Sequence, residues 1–362
     1  MNVADYTVDD EELDRIFDKQ VRRYVFNGYP RTAAEATPTL VLLGGQPGAG
    51  KSSAVASISQ RHPGQLVPLT GDELRQFHPQ FDVLRREHSL LMPRATGPAA
   101  GAWVERALDH ALKERYSLLF EGVFRDPLAV VQTAERFKKE GYRVEVVGLA
   151  VPEAVSRLST VTRYLYPGKE VARWTSTEGH DRAFRMVPAA LQACDDSPHV
   201  DALFVTNRQA AKLHLNTRTP EGAWQNPTSG AATLAALAER TAPPAPDQAR
   251  VWLQTYIDAS RDLIKRGQAN DTTLPTMQRL SNDAQRMAAI AYPRVPAVHK
   301  LLEQRQEAVA AAAAGQQVKV SPVKLPNLAK PSSPPTPAPP ASETRARPAS
   351  ARRGREPGPQ RR

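Results

Sequence analysis

The sequence is poor in the residues that mark exported or membrane-bound proteins. It has one cysteine, Cys194, among 362 residues, so an internal disulfide and a Cys/His zinc cluster are both excluded. No run of about 18 apolar residues occurs, and the acidic segment 1–12 has neither a basic start nor an apolar core. We therefore expect a cytoplasmic protein without membrane insertion.

Aromatic residues are scarce, at 6%, whereas proline is frequent, with 32 residues. Residues 316–362 consist largely of Pro, Ser, Ala and Arg. Such a segment has too few large apolar side chains to offset the entropy lost on ordering. We predict a disordered, Pro/Arg-rich basic tail over 316–362, while the hydrophobic content of 41% supports a true core elsewhere.

The positive charge is concentrated in the same tail. Residues 316–362 hold ten basic and two acidic side chains, so they carry +8 of the formal net charge of +10. Tails of this kind bind nucleic acid or acidic surfaces nonspecifically, or they only keep a chain soluble, and the composition leaves both interpretations open. Without aromatic residues for base stacking, any nucleic-acid contact would be unspecific and strongly salt-dependent.

Apolar runs of strand length alternate with helical segments through the first two thirds of the chain. The runs cover residues 39–43, 66–69, 117–120, 144–150 and 202–205. Continuous apolar strands alternating with helices are typical of a parallel sheet covered on both faces. We predict an α/β fold with a doubly wound parallel sheet over residues 39–240, preceded by a helical segment over 1–38.

The pattern changes after residue 240. A proline-rich linker occupies residues 241–247. Apolar residues at helical spacing then predict three helices, over residues 248–268, 274–291 and 296–314. We interpret residues 248–315 as a small helical module.

The first apolar run leads into a complete phosphate-binding motif. Residues 45–52 read GQPGAGKS, which matches G-x-x-x-x-G-K-[ST] between a strand and a helix. In such a loop the backbone N–H groups face phosphate oxygens, Lys51 neutralises the terminal phosphates and the Ser52 hydroxyl binds Mg²⁺. The motif therefore predicts a P-loop NTPase with ATP and Mg²⁺ as cofactors. The residues expected to bind the nucleotide are Gly45, Gln46, Pro47, Gly48, Ala49, Gly50, Lys51, Ser52 and Ser53.

Two further residues follow apolar runs, where an open α/β sheet forms its ligand crevice. Asp72 follows the second run and would suit a kinase as the base that accepts the proton of an attacking hydroxyl. It would equally suit the N-cap of a helix starting near Glu73. Arg208 follows the fifth run, where it would either contact adenine or cap the sheet.

Several motifs in the correct order resemble the zeta-toxin family over about residues 10–240. They are GGQPGAGKS at 44–52, Gly71-Asp72 with His78-Pro79, EGVFR at 121–125, STVTRY at 159–164 and ARWT at 172–175. The resemblance implies a toxin-type kinase that transfers the γ-phosphate of ATP to the 3′-hydroxyl of the amino sugar in UDP-N-acetylglucosamine. It also implies an antitoxin protein in trans.

The same resemblance assigns roles to individual residues. Asp72 corresponds to the general base, while Lys51, Arg163 and Arg173 correspond to the cations that stabilise the transferring phosphate. Arg163 and Arg173 flank a turn-rich stretch, 166–169, suited to a mobile lid. The residues that the resemblance places at the acceptor are Asp72, Glu105, Glu121 and Arg125.

The acceptor half of the pattern departs from the family. Val123 stands where the family has the Thr of its EGT motif, Phe124 beside it is bulky, and Leu165 replaces the Glu of RYE. The ATP half is intact. The alternatives are therefore a P-loop kinase for another hydroxyl, such as that of an antibiotic, a nucleoside or a polynucleotide end, or a nucleotide-dependent binding module.

Overall fold

The computed structural model describes residues 3–167 and 172–326. Its centre is a six-stranded sheet with the strand order β2-β3-β1-β4-β5-β6. The strands are β1 Thr39–Gly44, β2 Val67–Thr70, β3 Leu118–Gly122, β4 Arg143–Leu149, β5 Ala202–Thr206 and β6 Lys212–Thr217.

Helices follow most of the strands and cover the sheet. They are α1 Asp10–Ile16, α2 Arg22–Phe26, α3 Lys51–Arg61, α4 Gly71–Leu74, α5 Phe81–Glu87, α6 Met92–Glu114, α7 Pro127–Lys139, α8 Glu153–Leu165, α9 Thr177–Asp196, α10 Ala231–Thr241, α11 Pro246–Lys265, α12 Leu274–Ala291 and α13 Pro296–Ala313. A π-helical turn, Phe17–Val21, joins α1 to α2, so the helix runs continuously from residue 10 to residue 26. Within the described ranges, no helix is long and apolar enough to cross a bilayer.

The five predicted strands are confirmed and run parallel, but the sheet is mixed. β6 pairs antiparallel with β5, and the sequence did not predict this strand. Only one of the six residues of Lys212–Thr217 is fully buried, so this strand does not need a continuous apolar run and does not have one. The predicted α/β fold with a doubly wound parallel sheet is confirmed, and β6 is an antiparallel strand added at its edge.

The strand order brings three carboxyl ends together. β3 lies between β1 and β2, and its Glu121 is in register with Leu43 of β1 and with Thr70 of β2. The loop after β1 and the turn after β2 consequently leave the sheet on either side of Glu121. This edge is where an open α/β sheet binds ligands.

The N-terminal helical segment packs on the main core. Leu13, Ile16, Val21 and Phe26 are buried there, and the indole of Trp103 donates a hydrogen bond to the Leu13 carbonyl at 3.0 Å. Burial of each large side chain stabilises the fold by about 1.5–3 kcal/mol. The segment is therefore an integral support of α6.

The three helices predicted after residue 240 are present as α11, α12 and α13, which we call the helical module. Its core is built from side chains such as Leu253, Tyr256, Leu280 and Leu302. The division of the chain into residues 1–38, 39–240, 248–315 and 316–362 stays a prediction. Residues 318–325, placed in the tail by the sequence, lie against the module, and the tail from 327 onward lies outside the described residues.

Cys194 lies on α9. The thiol is fully buried, and burial raises its pKa to about 12. A thiol with so high a pKa is protonated at neutral pH, whereas the reactive form of cysteine is the thiolate.

Candidate active site

The phosphate-binding loop connects β1 to α3 and has the backbone shape that its glycines allow. Gly48 and Gly50 have φ values of 78° and 85°, in the left-handed region that favours glycine. Gly50 precedes the first turn of α3, so the N–H groups at the start of this helix are presented to the cavity beside the loop. The loop is thus shaped to hold an anion.

The remaining residues predicted for the loop have different surroundings. Gln46 and Ala49 are buried, and the Gln46 side chain turns to α8. Ser53 lies in the first turn of α3 and donates its N–H to the Gly50 carbonyl at 3.3 Å. Any contact of Gln46 with a nucleotide would therefore come from its backbone.

Lys51 is the first residue of α3 and folds back over the loop. Its Nζ donates to the Gly45 carbonyl at 3.0 Å and lies 3.7 Å from a carboxylate oxygen of Glu121. Burial lowers the pKa of Lys51, and attraction by Glu121 and Asp72 opposes that shift. The ammonium group thus stands at the junction between the loop and the ends of β2 and β3.

Asp72 lies in α4, directly after β2, and is held by two arginines. Arg173 Nη2 is 2.8 Å from Asp72 Oδ2, and Arg75 Nε is 3.1 Å from Oδ1. Burial alone would raise the pKa of Asp72, but attraction by Arg173 and Arg75 outweighs it, so the pKa is lowered. Thr70 occupies the N-cap position of α4, so the capping interpretation of Asp72 was wrong.

A cavity of about 970 Å³ opens beside the loop. We call it the loop cavity. Tyr166 and Pro167 form part of its rim. The predicted site residues that line it are Gly48, Gly50, Lys51, Ser52, Asp72, Glu121, Arg163, Arg173 and Arg208.

Arg208 lies against the loop itself. Its Nη1 donates to the Gly48 carbonyl at 2.7 Å, and a side chain on Gly50 would approach Arg208 Cγ to 3.1 Å. Burial lowers the pKa of this guanidinium. The structure therefore places Arg208 on the side of the loop that faces the loop cavity.

A second cavity, of about 420 Å³, meets the loop cavity at Asp72. We call it the side cavity. Lys51, Asp72, Arg75 and Glu121 line both spaces. The walls of the side cavity come from Gly97, Ala100, Gly101 and Val104 of α6 and from the segment 122–126 after β3.

Two predicted acceptor residues, Glu105 and Arg125, lie at the side cavity and are exposed. Glu105 Oε2 also forms a loose ion pair with Arg136 Nη1, at 3.8 Å. Neither residue touches the phosphate loop in any described contact. Glu105 and Arg125 line the side cavity and not the loop cavity, whereas Arg208 lines only the loop cavity.

Phe124, which follows β3, forms part of the wall of the side cavity. It has a φ of 49°, which is strained for a residue with a side chain, and its ring is buried. A Cβ added to Gly44 would stand 2.1 Å from that ring, so the ring packs directly on the end of β1. Val123 beside it gives this wall an apolar surface.

Sequence reasoning missed the roles of Arg75 and Tyr166. Besides Asp72, Arg75 Nη1 bonds to the Pro93 carbonyl at 2.6 Å and to Thr96 Oγ1 at 2.9 Å, so it ties α4 to α6. The spacing of three residues from Asp72 along a helix was the available signal. Residues 168 and 169 of the expected lid, 166–169, lie outside the described residues, so the lid stays a prediction.

Comparison with known proteins identifies the family. A family model described as Zeta toxin matches residues 25–219. Toxin zeta of Streptococcus agalactiae is 30% identical over 222 residues, which cover 60% of this chain and 75% of that protein. Toxin PezT of Streptococcus pneumoniae is 32% identical over 184 residues, which cover 50% of this chain and 70% of that protein.

The fold agrees with this match. A structure from the PezAT chromosomal toxin-antitoxin system of Streptococcus pneumoniae superposes with a TM-score of 0.58 at 22% identity, covering 70% of this chain and 98% of that chain. The family match spans more than half of the 362 residues and includes the phosphate loop, Asp72, Glu121, Arg163 and Arg173. The chain belongs to the zeta toxin family.

Proposed function

We propose that the protein is an ATP-dependent kinase that phosphorylates the 3′-hydroxyl of the amino sugar in UDP-N-acetylglucosamine. The observation that carries the proposal is the position of Asp72, whose carboxylate lines the loop cavity and the side cavity together with Lys51. A group at this junction is able to reach both a bound phosphate and a bound hydroxyl. Membership of the zeta toxin family supports the same reaction.

The loop cavity would hold ATP. Backbone N–H groups of the loop and the N-terminus of α3 would bind the phosphates, and Lys51 would neutralise their charge. Ser52 is exposed to the cavity in the first turn of α3, so its hydroxyl fits the role of a Mg²⁺ ligand. Bound there, Mg²⁺ would supply further neutralisation of phosphate charge.

The side cavity would hold the acceptor. Glu105, Glu121 and Arg125 offer hydrogen-bonding groups for sugar hydroxyls and for the diphosphate of the nucleotide sugar. Asp72, ionised because its pKa is lowered, would accept the proton of the attacking hydroxyl. The hydroxyl oxygen then forms a bond to the γ-phosphorus as the bond to the β-phosphate oxygen breaks, and ADP leaves.

Arginines would stabilise the charge that spreads over the transferring phosphoryl group. Arg163 and Arg173 line the loop cavity, and Arg173 already approaches the Asp72 carboxylate to 2.8 Å. Guanidinium groups fixed near this point act without reorganisation during the reaction. We place Arg163 and Arg173 with Lys51 and Asp72 among the catalytic residues.

The partners and location that we propose follow from this function. Phosphorylation of a cell-wall precursor in the cytoplasm would arrest growth, so a host would need an antitoxin protein acting in trans. The apolar wall made by Val123 and Phe124 favours one alternative, a kinase for a different hydroxyl acceptor. The basic tail would add at most unspecific attraction to nucleic acid or acidic surfaces.

The test is incubation of the full chain with ATP, Mg²⁺ and UDP-N-acetylglucosamine, followed by mass spectrometry of the sugar nucleotide. We expect the gain of one phosphoryl group, and its loss in Asp72→Asn. A panel of nucleosides, aminoglycosides and oligonucleotide ends runs in parallel. Transfer to one of these alone would reject the substrate, and ATP binding without transfer to any of them would reject the kinase.

A further inference from the structure

The helical module packs on the helix that carries Arg163. Leu158, Val161 and Leu165 of α8 share a hydrophobic core with α11–α13, and the Trp252 indole donates to the Ala154 carbonyl at 3.0 Å. The family match ends at residue 219, so the module lies beyond it. The role of the module must therefore be inferred from its own contacts.

A buried ion pair joins the module to α8. The side chain of Arg157, on α8, is 3% exposed, and that of Asp283, on α12, is fully buried. Arg157 Nη1 lies 2.5 Å from Asp283 Oδ2. Its Nη2 also contacts Glu153 and Asp181. Because a buried charge that loses its partner is strongly destabilising, Asp283 fixes α8 against the module. The guanidinium also accounts for the close approach of Glu153 and Asp181, since it pairs with both carboxylates.

From this ion pair a chain of hydrogen bonds leads to the phosphate loop. Asp181 Oδ1 is 3.0 Å from His180 Nδ1, Ser156 Oγ is 2.9 Å from His180 Nε2, and Gln46 Nε2 donates to Ser156 Oγ at 3.3 Å. Ser156 and His180 are buried, so no substrate reaches this Ser-His-Asp arrangement. A Cβ on Gly48 would meet the Ser156 carbonyl oxygen at 2.1 Å, so the loop rests directly on α8.

The other end of α8 is held by α11. Tyr166, on the rim of the loop cavity, donates its hydroxyl proton to Asp262 Oδ2 at 2.5 Å, and Arg266 Nη1 donates to the Leu165 carbonyl at 2.7 Å. Burial, reinforced by the bond to Asp262, raises the pKa of Tyr166 to about 12. This is the end of the helix from which Arg163 reaches the cavity.

We propose that the helical module positions α8 for phosphoryl transfer, with Asp283 and Asp262 as positioning residues that set where Arg163 meets the transferring phosphate. The inference rests on the proposed kinase function. A guanidinium that stabilises transition-state charge must be placed before the reaction, so a loosened α8 lowers the rate of transfer more than the affinity for ATP. The module therefore supports catalysis by holding α8 in place and is not an independent appendage.

The first experiment compares Asp262→Asn with Asp258→Asn in the full chain. Asp258 lies on the same helix and pairs with Arg261, but none of its described contacts is with α8. We expect Asp262→Asn to lower kcat about tenfold with KM for ATP within about twofold of wild type, and Asp258→Asn to leave both unchanged. Tyr166→Phe should lower kcat to the same extent as Asp262→Asn. The variant with both substitutions should have the same kcat as either single variant, because both remove the same hydrogen bond.

The second experiment needs no activity. Hydrogen–deuterium exchange should be faster in peptides of α8 and of the loop at 45–52 for Asp262→Asn and Asp283→Asn than for Asp258→Asn. If Asp283→Asn does not fold, Asp262→Asn carries this comparison alone. Unchanged exchange at α8, or a lowered melting temperature with full kcat, overturns the proposal. If the wild-type protein binds ATP but phosphorylates no acceptor, the proposed kinase function is wrong. The hydrogen–deuterium exchange result tests separately whether the module positions α8.

Discussion

Arg173 and Asp72 form an ion pair in the candidate active site, with Nη2 and Oδ2 2.8 Å apart. Arg75 approaches the other oxygen of the same carboxylate, at 3.1 Å. Asp72 is thus ionised and oriented at the junction of two cavities. The contact couples the proposed base to one of the cations proposed to stabilise the transferring phosphate.

Replacement of Asp72 tests its role as the base. Asp72→Asn keeps the size of the side chain but removes the proton acceptor, so we expect kcat to fall by about 10²- to 10⁴-fold. The affinity for ATP should persist, because the loop and Lys51 are unchanged. Acceptor phosphorylation and calorimetric ATP binding measure the two quantities.

The control for this change is Asp82→Asn. Asp82 lies on α5, is mostly exposed, pairs with Arg85 and lines neither cavity. Its substitution should leave both kcat and ATP affinity at wild-type values. Full kcat in Asp72→Asn would contradict the assignment of the base.

Removal of the Lys51 ammonium should act on nucleotide binding itself. Lys51→Ala deletes a charged hydrogen-bond donor at the phosphate site, which corresponds to about a 10- to 100-fold weaker affinity for ATP. Calorimetric titration with ATP gives the affinity. Lys113→Ala on α6, an exposed lysine that lines neither cavity, should bind ATP like wild type. Equal affinity in Lys51→Ala would mean that ATP does not occupy this loop.

The predictable part of the fold is the part that is encoded locally. β1 and β4 are continuous apolar runs because both faces of each strand are covered, and their boundaries follow from the sequence to within a residue. β6 is an edge strand whose side chains are mostly half-buried or exposed, so it does not require a continuous run of apolar residues. Its existence depends on pairing with β5, which no local pattern reports.

The candidate site divides in the same way. The loop at 45–52 and Asp72 follow from motifs, because their chemistry requires fixed residue types at fixed spacing. The contacts that hold α8 join Tyr166 to Asp262 and Arg157 to Asp283, residues that are 96 and 126 positions apart. Side-chain pairing over such distances depends on the tertiary packing of the module and leaves no signature in the sequence.

The pH dependence of activity should report both charged groups at the junction. The pKa of Asp72 is lowered, so the base becomes protonated only at a pH below the ordinary pKa range of a carboxyl group. We therefore expect the acid limb of kcat/KM in that low pH range. Burial lowers the pKa of Lys51, so the alkaline limb lies below the ordinary range of an amine. The stability that ionised Asp72 contributes is present above its unfolded pKa and is lost as the pH falls through the folded pKa.

Arg75→Gln tests the origin of the acid limb. Removal of one of the cations beside Asp72 raises the pKa of the carboxyl group, so the acid limb should move to higher pH. Arg85→Gln, which removes the partner of Asp82 instead, should leave the limb in place. A limb that does not move in Arg75→Gln would assign it to another group.

Gly48 and Gly64 separate backbone strain from the contact between the loop and α8. Both have φ in the left-handed region, at 78° and 68°, but a Cβ on Gly64 meets no atom within 4 Å, whereas one on Gly48 would lie 2.1 Å from the Ser156 carbonyl oxygen. Gly64→Ala should therefore lower the free energy of unfolding by about 1–2 kcal/mol and keep ATP binding. Gly48→Ala should cost more, because α8 or the loop must move, and ATP binding should be lost. Thermal unfolding of the two variants gives the loss of stability, and calorimetry gives their affinity for ATP. An equal loss of stability in both variants, with ATP binding retained in both, would mean that α8 does not support the loop.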